Sequence, residues 1–326
     1  MTRPEHTVFG ESTLAAPRWA RARRVGPSRA RSKQSPMTSR DRRTTSIAAA
    51  LALGVLALGC GTTRGEVPGV AGRPVADASA SSEPPAPMVA IPSGRFAMGC
   101  RSTPGVECED DALPVHRVRL PGFGLGRYEV TWDEYASCVE AGGCSAIKLA
   151  RCYVWSEEEG FVLGAPLDAR TVSAQRPVVC VTWGQARQFC EWRGQRLPAE
   201  AEWERAARGH DDRQYPWGDA RPTCEHATMH GCGLGPREVG SAPAGVSPEG
   251  VHDLAGNVWE WTSDWYLEDA YRNVGSRGRP GGPSYGDVKV VRGGSFYEEA
   301  DDLRASYRYG LTPDYGYSTV GLRCAS

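Results

Sequence analysis

The 326-residue sequence predicts a loop-rich α+β domain of short helices on an irregular, disulfide-stapled body. Three observations carry that expectation. Helix start signals are few, and each is stopped within about three turns. Gly and Pro, 39 and 24 residues, punctuate the rest into short strand candidates and loops. Ten of the eleven cysteines lie beyond residue 99, an even set that suits a disulfide framework.

Taken in order, Thr131-Trp132-Asp133-Glu134 is a capping box. The Thr hydroxyl and the Glu carboxylate each satisfy an otherwise unpaired N–H, so a helix is expected from Trp132 to about Glu140. Thr182-Trp183-Gly184-Gln185 repeats the device and opens a helix towards Arg193, stopped by Gly194. A third helix follows Pro198, runs through Ala201–Ala207 and ends at Gly209, with Pro at its first turn and Gly just past its end. Val288–Val291 is a short strand candidate, and no internal repeat is evident.

The net charge of −1 conceals an uneven distribution. Of the 38 Lys/Arg, 11 lie within residues 1–43, with only 3 of the 39 Asp/Glu, leaving 27 basic and 36 acidic residues beyond. An acidic body argues against a nucleic-acid partner, which needs a basic face, and is compatible with calcium or cationic ligands. The apolar run Ile47–Gly59 is too short to span a bilayer as a helix but suits a signal-peptide core, with Arg40, Arg42 and Arg43 ahead of it. It ends in Leu58-Gly59-Cys60, similar to a bacterial lipobox in which Cys60 is lipidated, although Ala57 stands where Leu is usual. An ordinary secretory signal is the alternative; export follows either way. Met37 gives a signal of normal length, so residues 1–36 are expected to be an over-called start or a disordered arm. Residues 37–60 are then the signal with its lipobox. Residues 61–87, rich in Gly, Ala, Ser and Pro, are a disordered tether, and 88–326 are one domain.

Several blocks of that domain resemble the formylglycine-generating enzyme (sulfatase-modifying factor) family, and in the same order. They are Phe96-Ala97-Met98-Gly99, Leu113–Val118, Tyr128-Glu129-Val130-Thr131 with Tyr135, and Pro177-Val178 with Val181-Thr182-Trp183. RLPAEAEWERAARG from Arg196, Tyr215-Pro216-Trp217-Gly218 and DLAGNVWEWTSDWY from Asp253 follow. Val291–Phe296 and Gly321-Leu322-Arg323-Cys324 close the series. The resemblance covers essentially all of 88–326 and implies the family's variant of the C-type-lectin-like fold.

It also implies a calcium ion held by Asp253 and Glu260 side chains and the Gly256 and Val258 carbonyls, hard oxygen donors suited to Ca²⁺. The other reading is that Asp253 and Glu260 only cap and brace the turn. A second family calcium site needs an Asn near Thr228 and none is present. The family's chemistry rests on two cysteines a few residues after Gly-Gly-Ser that bind copper and oxidise a target Cys to formylglycine. Here Ser295 is followed by Phe296-Tyr297-Glu298-Glu299-Ala300-Asp301-Asp302-Leu303-Arg304, acidic, about three residues shorter and without Cys, so copper is not expected.

Trp259, Ser295 and Arg308 match residues that line the family's cleft, whereas Thr319 stands where Asn is expected; packing is the competing explanation for Trp259 and Arg308. Glu298, Glu299, Asp301 and Asp302 are candidates to recruit a metal or a basic ligand at the rim, against a solvated acidic loop. Cys190 and Cys324 match a disulfide of the family. The close pairs 100/108, 138/144 and 224/232 suit local bridges and leave 152 with 180, a connectivity the sequence leaves open. Cys224-x-His226-x₃-His230-x-Cys232 has zinc-ligand types, but export favours a disulfide-closed loop.

The expectation is a divergent, calcium-braced binding module, an outer-membrane or periplasmic lipoprotein or else secreted, whose partner is an envelope or extracellular peptide, glycan or protein. The alternatives are an oxidase converting a target Cys to formylglycine, or a related nonheme-iron oxygenase using Glu298, Glu299, Asp301, Asp302 or His252.

Overall fold

The structure, a computed structural model, describes residues 87–103, 105–156, 158–273 and 282–326. The signal, lipobox Cys60 and tether lie outside the described residues. A compact unit spans Ser82–Ser326.

Strands come first: β1 (Met88–Ile91), β2 (Gly94–Met98), β3 (His116–Leu120) and β4 (Phe123–Gly126). β1 pairs antiparallel with β4, and β2 with β3, so the chain enters the fold as two nested ribbons. α1 (Trp132–Glu140) then starts at the first capping box, where Thr131 accepts from Glu134 N–H and the Glu134 carboxylate accepts from Thr131 N–H at 2.9 Å. β5 (Cys152–Ser156) and β6 (Gly160–Leu163) form a hairpin. α2 (Trp183–Trp192) carries the second box, with Thr182 and Gln185.

α3 (Glu200–Arg208) ends at Gly209, as expected, but starts later than its sequence suggests. Ala199 is the extended N-cap residue, so Pro198 lies outside the first turn. Ala199 has no capping oxygen; the Glu202 carboxylate supplies half the device by accepting from Ala199 N–H at 2.8 Å.

The remaining elements are β7 (Trp259–Trp265), the short α4 (Ala270–Asn273), β8 (Lys289–Arg292), β9 (Arg308–Leu311), β10 (Gly316–Tyr317) and β11 (Val320–Gly321). Four of them make the largest sheet, in the order β11-β7-β8-β9, with β11 parallel to β7 and a register shift between Trp261 and Trp265. β10 adds a parallel edge to β5. One core gathers Trp261, Phe189, Val178 and Leu322 around the Cys190–Cys324 disulfide; another gathers Ile91, Leu125, Trp203 and Leu254.

Between these cores runs a lattice of buried ion pairs. α3 supplies Glu200 and Glu204. Glu204 meets Arg292 at 2.5 Å and Arg208 at 2.9 Å, and accepts from Gly99 N–H at 2.7 Å. A buried charge persists only when paired and hydrogen-bonded, and here the partners of Glu204 come from its own helix (Arg208), from β8 (Arg292) and from the residue after β2 (Gly99).

Candidate functional site

After β8 the chain turns through Gly293 and Gly294, at φ +100° and +76°, a backbone open to glycine at little cost. The turn delivers Ser295, fully buried, to the end of β7. Ser295 Oγ donates to Glu298 Oε2 at 2.7 Å, and Trp259 Nε1 donates to Glu298 Oε1 at 2.9 Å. Glu298 is only 9 % exposed, so its two oxygens are held between two donors. Trp259 also approaches Tyr307 and Tyr309, with ring centroids 6.0 and 6.1 Å away, and Tyr297 packs on Trp155 at 3.8 Å. Burial, then the carboxylates of Asp302, Glu109 and Glu298, push the Tyr307 phenol far up and keep it protonated. This arrangement offers aromatic faces and hydrogen bonds.

Of the expected cleft residues, the structure brings together Trp259, Ser295 and Glu298. Arg308 is placed elsewhere. It is buried in a fork with Glu200 at 2.6 and 3.1 Å, donates to the Asp111 carbonyl at 2.8 Å and lies over the Tyr271 ring. That is packing. Asp301 is on the surface with its side chain 61 % exposed, 3.9 Å from both Arg221 and Arg304. Glu299 lies 3.2 Å from His230. His252 packs against Tyr128, beside Asp253 in the chain. The oxygenase candidates therefore do not converge: among the described residues no three His, Cys, Asp or Glu side chains form a metal-holding group.

All ten cysteines from Cys100 onwards are paired, as 100–108, 138–144, 152–180, 190–324 and 224–232. None of them is left as a thiolate, so the donors do not fit a two-thiolate copper centre. The Cys/His tetrad is a disulfide loop. His226 accepts or donates at Thr223 Oγ1 through Nδ1 at 2.8 Å and stacks on Trp217.

Of the expected calcium ligands, Asp253, Gly256 and Val258 sit on a coil set by three left-handed residues, Asp253, Gly256 and Asn257, at φ +57°, +79° and +60°, and Glu260 follows on β7. A Cβ at Gly256 would lie 2.3 Å from the Thr228 carbonyl oxygen, so only glycine fits. Glu260 is fully buried. It takes Arg323 Nε and Nη2, each at 2.6 Å, and Trp203 Nε1 at 2.7 Å. Asp253 Oδ2 accepts from Gly240 N–H at 2.5 Å.

A third carboxylate joins them that the sequence reading passed over. Glu129, 1 % exposed, accepts from Asn257 Nδ2 at 3.0 Å, and its other oxygen is buried with no partner. Burial pushes the Asp253 carboxyl up to about 6, against its bond from Gly240 and the pull of Arg323. Burial and the charges of Asp253 and Glu260 push Glu129 well above the carboxylate range. Three buried carboxylates thus face one guanidinium. Hard oxygen donors and an orphaned Glu129 oxygen are of the type a divalent cation such as Ca²⁺ takes, but the three side chains do not by themselves form a metal-holding group, and Asp253 and Glu129 would have to give up their protons first. A carboxylate oxygen that already accepts one hydrogen bond keeps a further lone pair for such an ion.

Comparison with known proteins agrees with this architecture. The sequence matches the sulfatase-modifying factor enzyme 1-like domain over residues 74–326. It is 35 % identical over 284 residues to the formylglycine-generating enzyme of Thermomonospora curvata, covering 73 % of this chain and 93 % of that protein. It is 34 % identical over 247 residues to the hercynine oxygenase of Mycolicibacterium thermoresistibile, covering 66 % of this chain and 53 % of that longer protein. The solved structure of PvdO from Pseudomonas aeruginosa superimposes with a TM-score of 0.62 at 26 % identity, over 73 % of this chain and 93 % of PvdO. With its loop-rich α+β fold, the chain belongs to the formylglycine-generating enzyme family.

Proposed function

We propose that the chain is a binding member of the family without thiolate–copper chemistry, held at the cell envelope through lipidated Cys60. Calcium at Asp253, Glu260, Glu129 and the Gly256 and Val258 carbonyls braces the scaffold. The half-buried aromatic set around Trp259 receives a peptide, glycan or protein partner. One observation carries this reading: in the segment after Ser295, where the resemblance expects the family's thiols, Glu298 is locked by Trp259 and Ser295, while every described cysteine is in a disulfide. A carboxylate in that position is a hydrogen-bond acceptor with no affinity for the soft Cu(I) ion. The acidic balance beyond residue 43 favours cationic or neutral partners.

A copper(I) competition titration against a chromophoric chelator tests it. The chelator is expected to keep its copper. Extraction of one copper per chain, persisting in Cys60→Ser, would defeat the proposal.

A further inference from the structure

We propose that the β2–β3 ribbon, at Arg95 and Arg117, carries a binding site for a small phosphate- or sulfate-type oxyanion. The register sets Arg95 opposite Arg119 and Ala97 opposite Arg117, while Phe96, Met98, Val118 and Leu120 point into the core. Three of four consecutive outward positions are therefore arginines on adjacent strands. Like charges directly across a ladder oppose each other and destabilise the ribbon, a cost that a bound anion would relieve. Among the described residues, none of the three side chains has an acidic partner or a hydrogen bond, in a body whose overall balance is acidic.

Arg95 and Arg117, with Arg101, His116 and His210, line a pocket of about 390 Å³. Two acids also line it, and both are already neutralised. Asp211 is gripped by Arg213 through two bonds of 2.8 and 2.6 Å, which hold its carboxyl low, and Asp212 pairs with Arg101 at 2.7 Å. Arg95 and Arg117 remain as uncompensated cations. His210 Nε2 lies 2.7 Å from Arg205 Nη2, which can only donate, so the imidazole accepts there and carries its proton on Nδ1. His116 Nδ1 donates to the Pro114 carbonyl at 3.1 Å. Planar guanidinium forks beside a third N–H donor suit the several acceptors of a tetrahedral oxyanion.

The test is an NMR titration of the full chain, following backbone amides and arginine Nε–H groups, with sodium phosphate, sodium sulfate, glycerol phosphate and sodium chloride at matched ionic strength. The expected result is saturable shifts confined to residues 95–97, 115–117 and 210–212 with the oxyanions and not with chloride. Two partly solvated charge-assisted contacts correspond to a Kd on the order of millimolar. Arg95→Gln/Arg117→Gln is expected to weaken binding roughly tenfold or more, and Arg95→Lys/Arg117→Lys, which keeps the charge and loses the fork, to weaken it less. Tighter binding of glycerol phosphate than of phosphate would assign the site to esterified phosphate, and the reverse to the free ion. Shifts that do not saturate, that chloride reproduces, or that persist unchanged in both folded variants would overturn the proposal.

Discussion

Glu298 illustrates how one residue sets the chemistry of a site. Its carboxylate is consumed by Trp259 Nε1 and Ser295 Oγ, and removing it leaves two buried donors unpaired. Glu298→Ala is expected to cost about 1–3 kcal/mol in urea unfolding, the penalty of stranded buried polar groups. An unchanged midpoint would mean the carboxylate is not held as described. Asp253 and Glu129 give a pH signature. Burial raises both, so without a cation the folded chain keeps protons that the unfolded chain releases; the Asp253 contribution to stability is lost as pH rises through about 6, and the Glu129 contribution falls in the same direction. Calcium must displace those protons, so its gain in Tm is expected to be larger at about pH 7.5 than at about pH 5. An equal gain at both would contradict the ligand set. At this scale the sequence was only partly legible. Trp259, Ser295 and Glu298 stand in recognisable blocks, whereas the partners of Arg308 and the orphaned oxygen of Glu129 depend on contacts across more than a hundred residues.

Among the elements, α3 carries more than its length suggests. It is an amphipathic helix whose every residue is buried, because Glu200 and Glu204 feed the ion-pair lattice while Trp203 reaches Glu260. Glu204→Ala would leave Arg292 and Arg208 without their carboxylate in the interior. Loss of about 3–5 kcal/mol in chemical denaturation is expected, as for any buried pair broken from one side. A loss below about 1 kcal/mol would mean the pair is solvated. Helices α1 and α2 were legible because a capping box is a local device of four residues. The Pro198 start was misjudged because the Glu202 side chain, reaching back to Ala199, sets the boundary without a hydroxyl at the cap. The sheets were largely illegible. β10 and β11 are two residues each and exist only through pairing with Cys152–Tyr153 and Trp259–Glu260, long-range registers with no periodic signature.

For the molecule as a whole, a disulfide ties the C-terminal end of the described domain to its middle. Cys190–Cys324 spans 134 residues, while Cys138–Cys144 spans 6. A bridge that closes a long loop removes more freedom from the unfolded chain. Cys190→Ala/Cys324→Ala is therefore expected to cost about 2–5 kcal/mol, and more than Cys138→Ala/Cys144→Ala, in matched denaturation curves. Equal losses would locate the effect in packing around the sulfurs. The same bridges pair every cysteine of the described domain. The most direct measurement is oxygen uptake by copper-loaded and iron-loaded protein with a Cys-containing sulfatase-motif peptide, with mass spectrometry of the peptide. We expect no aldehyde and no peptide-dependent uptake with either metal, from a sample whose fold is verified by circular dichroism. Formylglycine in the peptide would contradict the binding-module function and require an oxidising centre built without the cysteine pair.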